Sequence, residues 1–133
     1  MTIIINIKKE ISSEMLENVF VTALEGGSNY WYWIDNDSIR KVRELMPDKK
    51  NIPLSVAIFK AVIEYQMTIP VHDAETRDSI GALNPISIAT RLEHLANDSN
   101  YNWALDNELN DNGDAHSSDI IFQYLVMGEV VYG

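Results

Sequence analysis

The fold class predicted by the sequence is α+β, a small antiparallel sheet packed with about four to five helices. Three observations predict it. Apolar residues recur at helical spacing in several separate segments and dominate the patterning. Two short runs of strand-forming residues flank a polar turn in the middle of the chain. The chain has 133 residues, the size of one compact domain spanning 1–133, and its 46% apolar and 23% charged residues are ordinary for a globular protein.

Taken in order, residues 2–8 are rich in isoleucine and alternate loosely, which predicts a strand. Ser12 or Ser13 offers an N-cap hydroxyl, and Glu14 suits the positive end of a helix. Met15, Leu16, Val19, Phe20, Ala23 and Leu24 then form one apolar helical stripe, closed at Gly26 or Gly27 by a left-handed C′ residue. Residues 34–38 read as a turn and helix start, and Ile39, Val42, Leu45 and Met46 as a short helix ended by Pro47. Residues 48–51 read as a polar loop, and Pro53 as the first position of a helix carrying Leu54, Ala57, Ile58, Ala61, Val62 and Tyr65. Residues 67–72 and 79–83 predict a hairpin, with Pro70 confining the first strand to an edge or a strand end. Asn84 and Pro85 cap and open a helix striped by Ile88, Leu92, Leu95 and Ala96 and stopped at Asn97. Residues 98–117, polar and rich in Asn and Asp, predict a long surface loop. Ser117 or Ser118 caps a last helix with Ile120, Ile121, Tyr124 and Leu125, and Gly128 marks its end or a close approach.

Ten basic residues stand against twenty acidic ones, a net charge of −10 that repels phosphate backbones and argues against direct nucleic-acid binding. The same acidity suits docking onto a basic partner, including by mimicry of nucleic acid. No apolar run approaches the ~20 residues of a membrane-spanning helix, and the early lysines, Lys8 and Lys9, follow the apolar residues rather than precede them, the reverse of a signal peptide. Cysteine is absent, which removes disulfides, thiolate nucleophiles and thiolate metal ligands. A cytoplasmic protein without membrane association is the expectation.

Chemistry concentrates in residues 21–33, where a helix runs through a double glycine into four successive rings, Tyr30, Trp31, Tyr32 and Trp33. Rings are strong anchors when buried or stacked, so the cluster either plugs the core or lines a site. In an extended backbone the two tyrosines face one way and the two tryptophans the other, which lets one pair serve each role. A flat, nucleotide-like ligand could stack on Trp31 or Trp33 with Asn29 or Glu25 reading its edge and Arg40 or Arg43 meeting a phosphate. Asp119 and Gln123 share a helix face four residues apart and are natural companions of such a site.

Other motifs are weaker. His72, Asp73 and Glu75 crowd a base and two carboxylates into one short segment, which is compatible with a hydrolase or a metal site but is better read as a polar hairpin turn. His94 has no second ligand four residues away. Residues 108–119 echo a calcium loop in oxygen spacing and in Gly113, but Glu108 replaces the first aspartate and Asp119 the bidentate glutamate, which favours a flexible acidic loop. There is no nucleophile-elbow serine and no phosphate-cradling glycine loop, so a non-catalytic protein without cofactor or metal is the expectation.

Two stretches together, VTALEGGSNYW at 21–31 and DIIFQ at 119–123 with MGEVVYG at 127–133, resemble the start and end signatures of a group of small uncharacterised phage and prophage proteins. The turn at His72, Asp73, Ala74 and Glu75 is similar to a less distinctive middle element of that group. The resemblance implies a phage or mobile-element origin and marks Glu25, Asn29, Trp31, Asp119, Gln123 and Glu129 as a shared site, while assigning no activity. The functional expectation is a binding protein, a homo-oligomer that interferes with host defence by sequestering a small nucleotide-like signal on Glu25, Asn29, Tyr30, Trp31, Trp33, Asp119 and Gln123. The alternative is an acidic protein–protein inhibitor of a basic host enzyme, and the third reading a hydrolase or metal site at His72 and Glu75.

Overall fold

The computed structural model describes residues 1–47 and 51–133. Among them are six α-helices and a three-stranded antiparallel sheet of order β1-β2-β3. Ser12 caps α1 (Ser13–Thr22), its hydroxyl accepting from the Met15 amide at 3.0 Å. The apolar stripe of this helix buries Leu16, Val19 and Phe20. The helix widens into a π-helical turn, Ala23–Gly27, closed by the Ser28 amide on the Ala23 carbonyl at 2.8 Å. Strand β1 (Tyr32–Trp33) follows, then α2 (Asn36–Leu45), capped by Asp35 on the Ser38 amide at 2.7 Å. Helix α3 (Leu54–Ile63) starts after Pro53 and buries Ala57, Ile58, Ala61 and Val62.

Strands β2 (Ile69–Asp73) and β3 (Ser79–Leu83) form the expected hairpin, with Ile69 opposite Leu83 and a bulge between Val71 and His72. Although β2 is the middle strand, β1 pairs only with His72 and Asp73. Pro70 therefore sits where one side of β2 has no neighbour to receive an N–H, as a proline requires. The turn is shaped by Asp73, whose carboxylate accepts the amides of Glu75 and Thr76.

Helices α4 (Ile88–Ala96), α5 (Asn102–Leu109) and α6 (Ala115–Met127) complete the fold. Every residue of α6 from Ser117 to Val126 is buried, so this helix is the axis around which α1, α4, α5 and β3 pack. Phe20 meets Phe59 and Phe122 edge-on at 5.2 and 5.9 Å in the centre of the core. No helix among the described residues is long and apolar enough to cross a membrane.

Several expectations need correction. Residues 2–8 are not a strand: among the described residues their backbone has no hydrogen-bonding partner, and strand propensity alone does not make a strand. Residues 98–117 are not one long loop, since α5 occupies their centre and α6 begins at Ala115. Helix α5 needs only Ala104 and Leu105 to anchor it, too few apolar residues to show a period against its Asn and Asp neighbours. The cap of α6 is Asp114, in a reciprocal capping box with Ser117, rather than Ser117 or Ser118. Helix α4 is preceded by a turn on Asn84 and Pro85 and starts at Ile88. Neither Gly26 nor Gly27 is left-handed; among the described glycines only Gly128 is, with φ of 77° just after α6. Gly27 serves close approach instead, since a Cβ there would lie 2.8 Å from the Ala115 carbonyl oxygen. The expected loop at 48–51 falls, apart from Asn51, outside the described residues.

Gly81 on β3 lies against the Val126 carbonyl, and a Cβ there would collide with that backbone atom. Gly81→Ala is expected to lower stability by about 1–3 kcal/mol in urea unfolding. Gly26→Ala, which meets open space, should stay within about 0.5 kcal/mol of wild type in the same measurement.

Candidate functional site

The extra residue of the π-helical turn rotates the following segment onto α6, where a buried carboxylate waits. Asp119 is 4% exposed. Its Oδ1 accepts from the Ser28 hydroxyl at 2.6 Å and the Trp31 indole N–H at 2.7 Å. Its Oδ2 accepts from the Tyr30 hydroxyl at 2.6 Å and the Gln123 amide at 3.2 Å. Four donors use the full acceptor capacity of a carboxylate.

Gln123, fully buried one turn later, is equally occupied. Its Oε1 accepts the amides of Val131 and Tyr132, both at 2.9 Å, and its Nε2 donates to the Tyr132 carbonyl at 3.0 Å as well as to Asp119. The side-chain amide thus stands in for a neighbouring strand and holds residues 131–132 against the core. Tyr132 in turn stacks on the Trp31 indole, centroids 5.2 Å apart and planes 8° from parallel, and its hydroxyl donates to Asp73 at 2.7 Å. The Ala74 amide closes the ring by donating to the Trp31 carbonyl at 2.8 Å.

Of the residues singled out in the sequence, Tyr30, Trp31, Asp119 and Gln123 are therefore brought together in one network. Trp31 is 1% exposed and serves as core, whereas Tyr30 is 52% exposed with only its hydroxyl turned inward. Glu25 and Asn29 are exposed on the surface of the turn and join none of these bonds. Trp33 lies apart, half-buried, with the Arg77 guanidinium 4.0 Å above its ring and His72 edge-on at 5.4 Å. Arg40 is engaged by Asp37 and Glu44 on α2, and Arg43 donates to the Ile52 carbonyl at 2.6 Å, so neither points at the rings. Glu129 is exposed beyond α6. Ser28, a hydrogen-bonding neighbour of the rings in sequence, and Asp73, read there as part of a polar turn, both join the network, and Tyr132, which no local pattern marks, is brought to it by the fold alone.

His72 and Glu75 form no hydrogen bond or ion pair with each other; the His72 Nε2 lies 3.6 Å from Asp35, and neither ring nitrogen has a hydrogen-bond partner among the described residues. No group of three or more His, Asp and Glu side chains among the described residues is arranged to hold a metal ion. The calcium-like spacing at 108–119 dissolves in the fold, because Glu108 accepts the Ser117 and Ser118 hydroxyls while Asp119 is buried elsewhere.

Two grooves lie away from the aromatic run. A groove of about 490 Å³ opens between α1 and the α5–α6 connection. Glu10, Glu14, Glu108, Asp111 and Asp114 line it, and no lysine or arginine among the described residues does. A second groove of about 880 Å³, of mixed polar and apolar lining, runs along α4.

Three tyrosines carry the electrostatic signature of acid partners. Burial and then the Asp119 hydrogen bond push the Tyr30 phenol up. Burial, followed by Asp98, raises Tyr124 to about 12. Tyr132 also rises to about 12, first through its bond to Asp73 and then through burial. Asp73 is held below the usual carboxylate range by the Tyr132 hydroxyl first, then by the Thr76 and Glu75 amides. Comparison of the chain with protein-family models, curated proteins and solved structures returns no match.

Asp119→Asn places an amide N–H₂ against converging donors and is expected to cost about 2–4 kcal/mol in chemical unfolding monitored by tryptophan fluorescence. The Asp73–Tyr132 pair predicts loss of stability at both pH extremes. A depressed carboxyl contributes stability present at neutral pH and lost as pH falls below about 4. A raised phenol contributes stability present below about pH 10 and lost as pH rises from there through about 12. Thermal melts across pH should show Tyr132→Phe with a flatter profile than wild type at both ends.

Proposed function

We propose that this chain is a non-catalytic binding protein whose acidic groove receives a basic segment of a partner protein. The observation that carries the reading is the concentration of five carboxylates, with no basic side chain among the described lining residues, around one concavity in a chain of net charge −10. Carboxylates around a low-dielectric cleft focus negative potential, which steers lysine- and arginine-rich ligands toward it and disfavours phosphates. In the phage setting that the sequence resemblance implies, the partner would be a basic host protein, engaged where that protein ordinarily meets nucleic acid.

A nucleotide-like ligand is the second reading, favoured by one observation. Arg77 over Trp33, with His72 beside them, puts a cation and an aromatic ring on one surface. It ranks second because the Trp31 ring is buried in the core and stacked on Tyr132, and the Tyr30 hydroxyl is held by Asp119.

Titration of the protein with an oligo-arginine peptide separates the two. The first reading expects saturable binding that weakens with added salt, and a loss of roughly tenfold or more, about 1.4 kcal/mol, in the Glu14→Lys, Asp111→Lys double variant with unchanged circular dichroism. Absence of saturable binding, or indifference to that charge reversal, overturns it. Saturable heat with a panel of cyclic and ADP-ribose-type nucleotides, abolished by Trp33→Ala, would establish the second reading in its place.

A further inference from the structure

Residues 2–8 carry a strand pattern with no strand to join. Ile3, Ile5 and Ile7 alternate with Thr2, Ile4, Asn6 and Lys8, so an extended backbone puts three isoleucines on one face and a mostly polar set on the other. Ile3, Ile4, Ile5 and Ile7 are 76, 82, 74 and 74% exposed, and residues 1–11 make no backbone–backbone hydrogen bond among the described residues. The segment is nonetheless tethered to the body at its base, where Ile11 packs on the core and Lys9 donates to Asp106 at 2.6 Å.

Beside it lies the groove of about 880 Å³, which Ile5 and Ile7 line together with Leu92 and Ala96 of α4 and Leu105 of α5. An open row of backbone donors and acceptors that carries exposed isoleucines is a template for another strand.

We propose that residues 2–8 pair with the same residues of a second copy of this chain, as a two-stranded antiparallel ribbon centred on Ile5 whose isoleucine face covers the α4 grooves. That register lays the whole segment on itself, setting Ile3 opposite Ile7, Ile5 opposite Ile5 and Thr2 opposite Lys8 across a two-fold axis. Each isoleucine at this exposure offers on the order of 100 Å² of apolar surface, so six of them offer roughly 600 Å², and the paired backbones, Ile4 and the groove walls add to it toward the roughly 1,000 Å² of a specific interface. Lys8 and Lys9 beside the ribbon discourage addition of further strands, which favours a closed dimer over a filament.

The segment lies outside the core, so its variants leave the domain folded and the test is clean. Light scattering should give wild-type protein twice the chain mass of 15.1 kDa, and Ile5→Lys the single mass with the same circular dichroism. The chain has no cysteine, so an introduced one can bond only to its copy. Residues directly opposite in an antiparallel pair have Cα atoms ~4.5–5.5 Å apart, within the ~4.4–6.8 Å a disulfide spans. Under mild oxidation Ile5→Cys should therefore convert to a covalent dimer, whereas Ile3→Cys, whose two copies lie four residues out of register, should not. A monomeric wild type, a dimer that survives Ile5→Lys, or equal cross-linking of Ile3→Cys and Ile5→Cys would each overturn the proposal.

Discussion

A carboxylate enclosed in the centre of the most buried helix sets the arrangement of most of this molecule. Removing Asp119 from water is unfavourable unless donors converge on it, and the donors come from Ser28, Tyr30 and Trp31, about ninety residues earlier in the chain, and from Gln123 one turn away. The π-helical turn after α1 leads directly into the segment from which three side chains reach the same two oxygens. Gln123 extends the same logic to residues 131–132, and Tyr132 to the sheet through Asp73. One polar network thus joins α1, the hairpin, α6 and the end of the chain, with the indole of Trp31 as its apolar filling.

That arrangement redirects the question of function. Four aromatic rings in succession look like a recognition surface, yet the indole N–H of Trp31 and the hydroxyls of Tyr30 and Tyr32 are spent on internal acceptors. What the protein presents outward is different: an acidic groove between α1 and α6, an isolated Arg77–Trp33 pair, and a row of unpaired isoleucines. The bridge between the two is the cap of α6, where Asp114 accepts the Ser117 amide, Glu108 accepts the Ser117 and Ser118 hydroxyls, and both form one wall of the groove.

The isoleucine segment illustrates how local propensity and folded context part. Its alternation is that of a strand, but strand stability resides in hydrogen bonds and side-chain pairs across to a neighbour. Among the described residues no backbone pairs with it, so the propensity has no outlet. Helix α5 is the opposite case. Its sequence is unfavourable to any periodic reading, rich in Asn and Asp, and it is nevertheless helical because Ala104 and Leu105 find a complete binding surface on the neighbouring helices.

The residues by themselves determined the elements whose stabilising groups are near in sequence. The stripe of α1 with its Ser12 cap, the helix ending before Pro47, the helix after Pro53, the hairpin about residues 73–79 and the end of α6 at Gly128 all rest on contacts or conformations within a few residues, and all are legible. So was the companionship of Asp119 with Gln123, a matter of helical spacing, and their kinship with the aromatic run. Only the tertiary structure decided which ring is core and which is surface, that Gly27 is a point of close approach rather than a helix stop, that Tyr132 and Asp73 belong to the network, and that residues 102–109 are helical. Each of those depends on groups far apart along the chain, where burial and the obligation to satisfy buried polar atoms act and local pattern carries no signal.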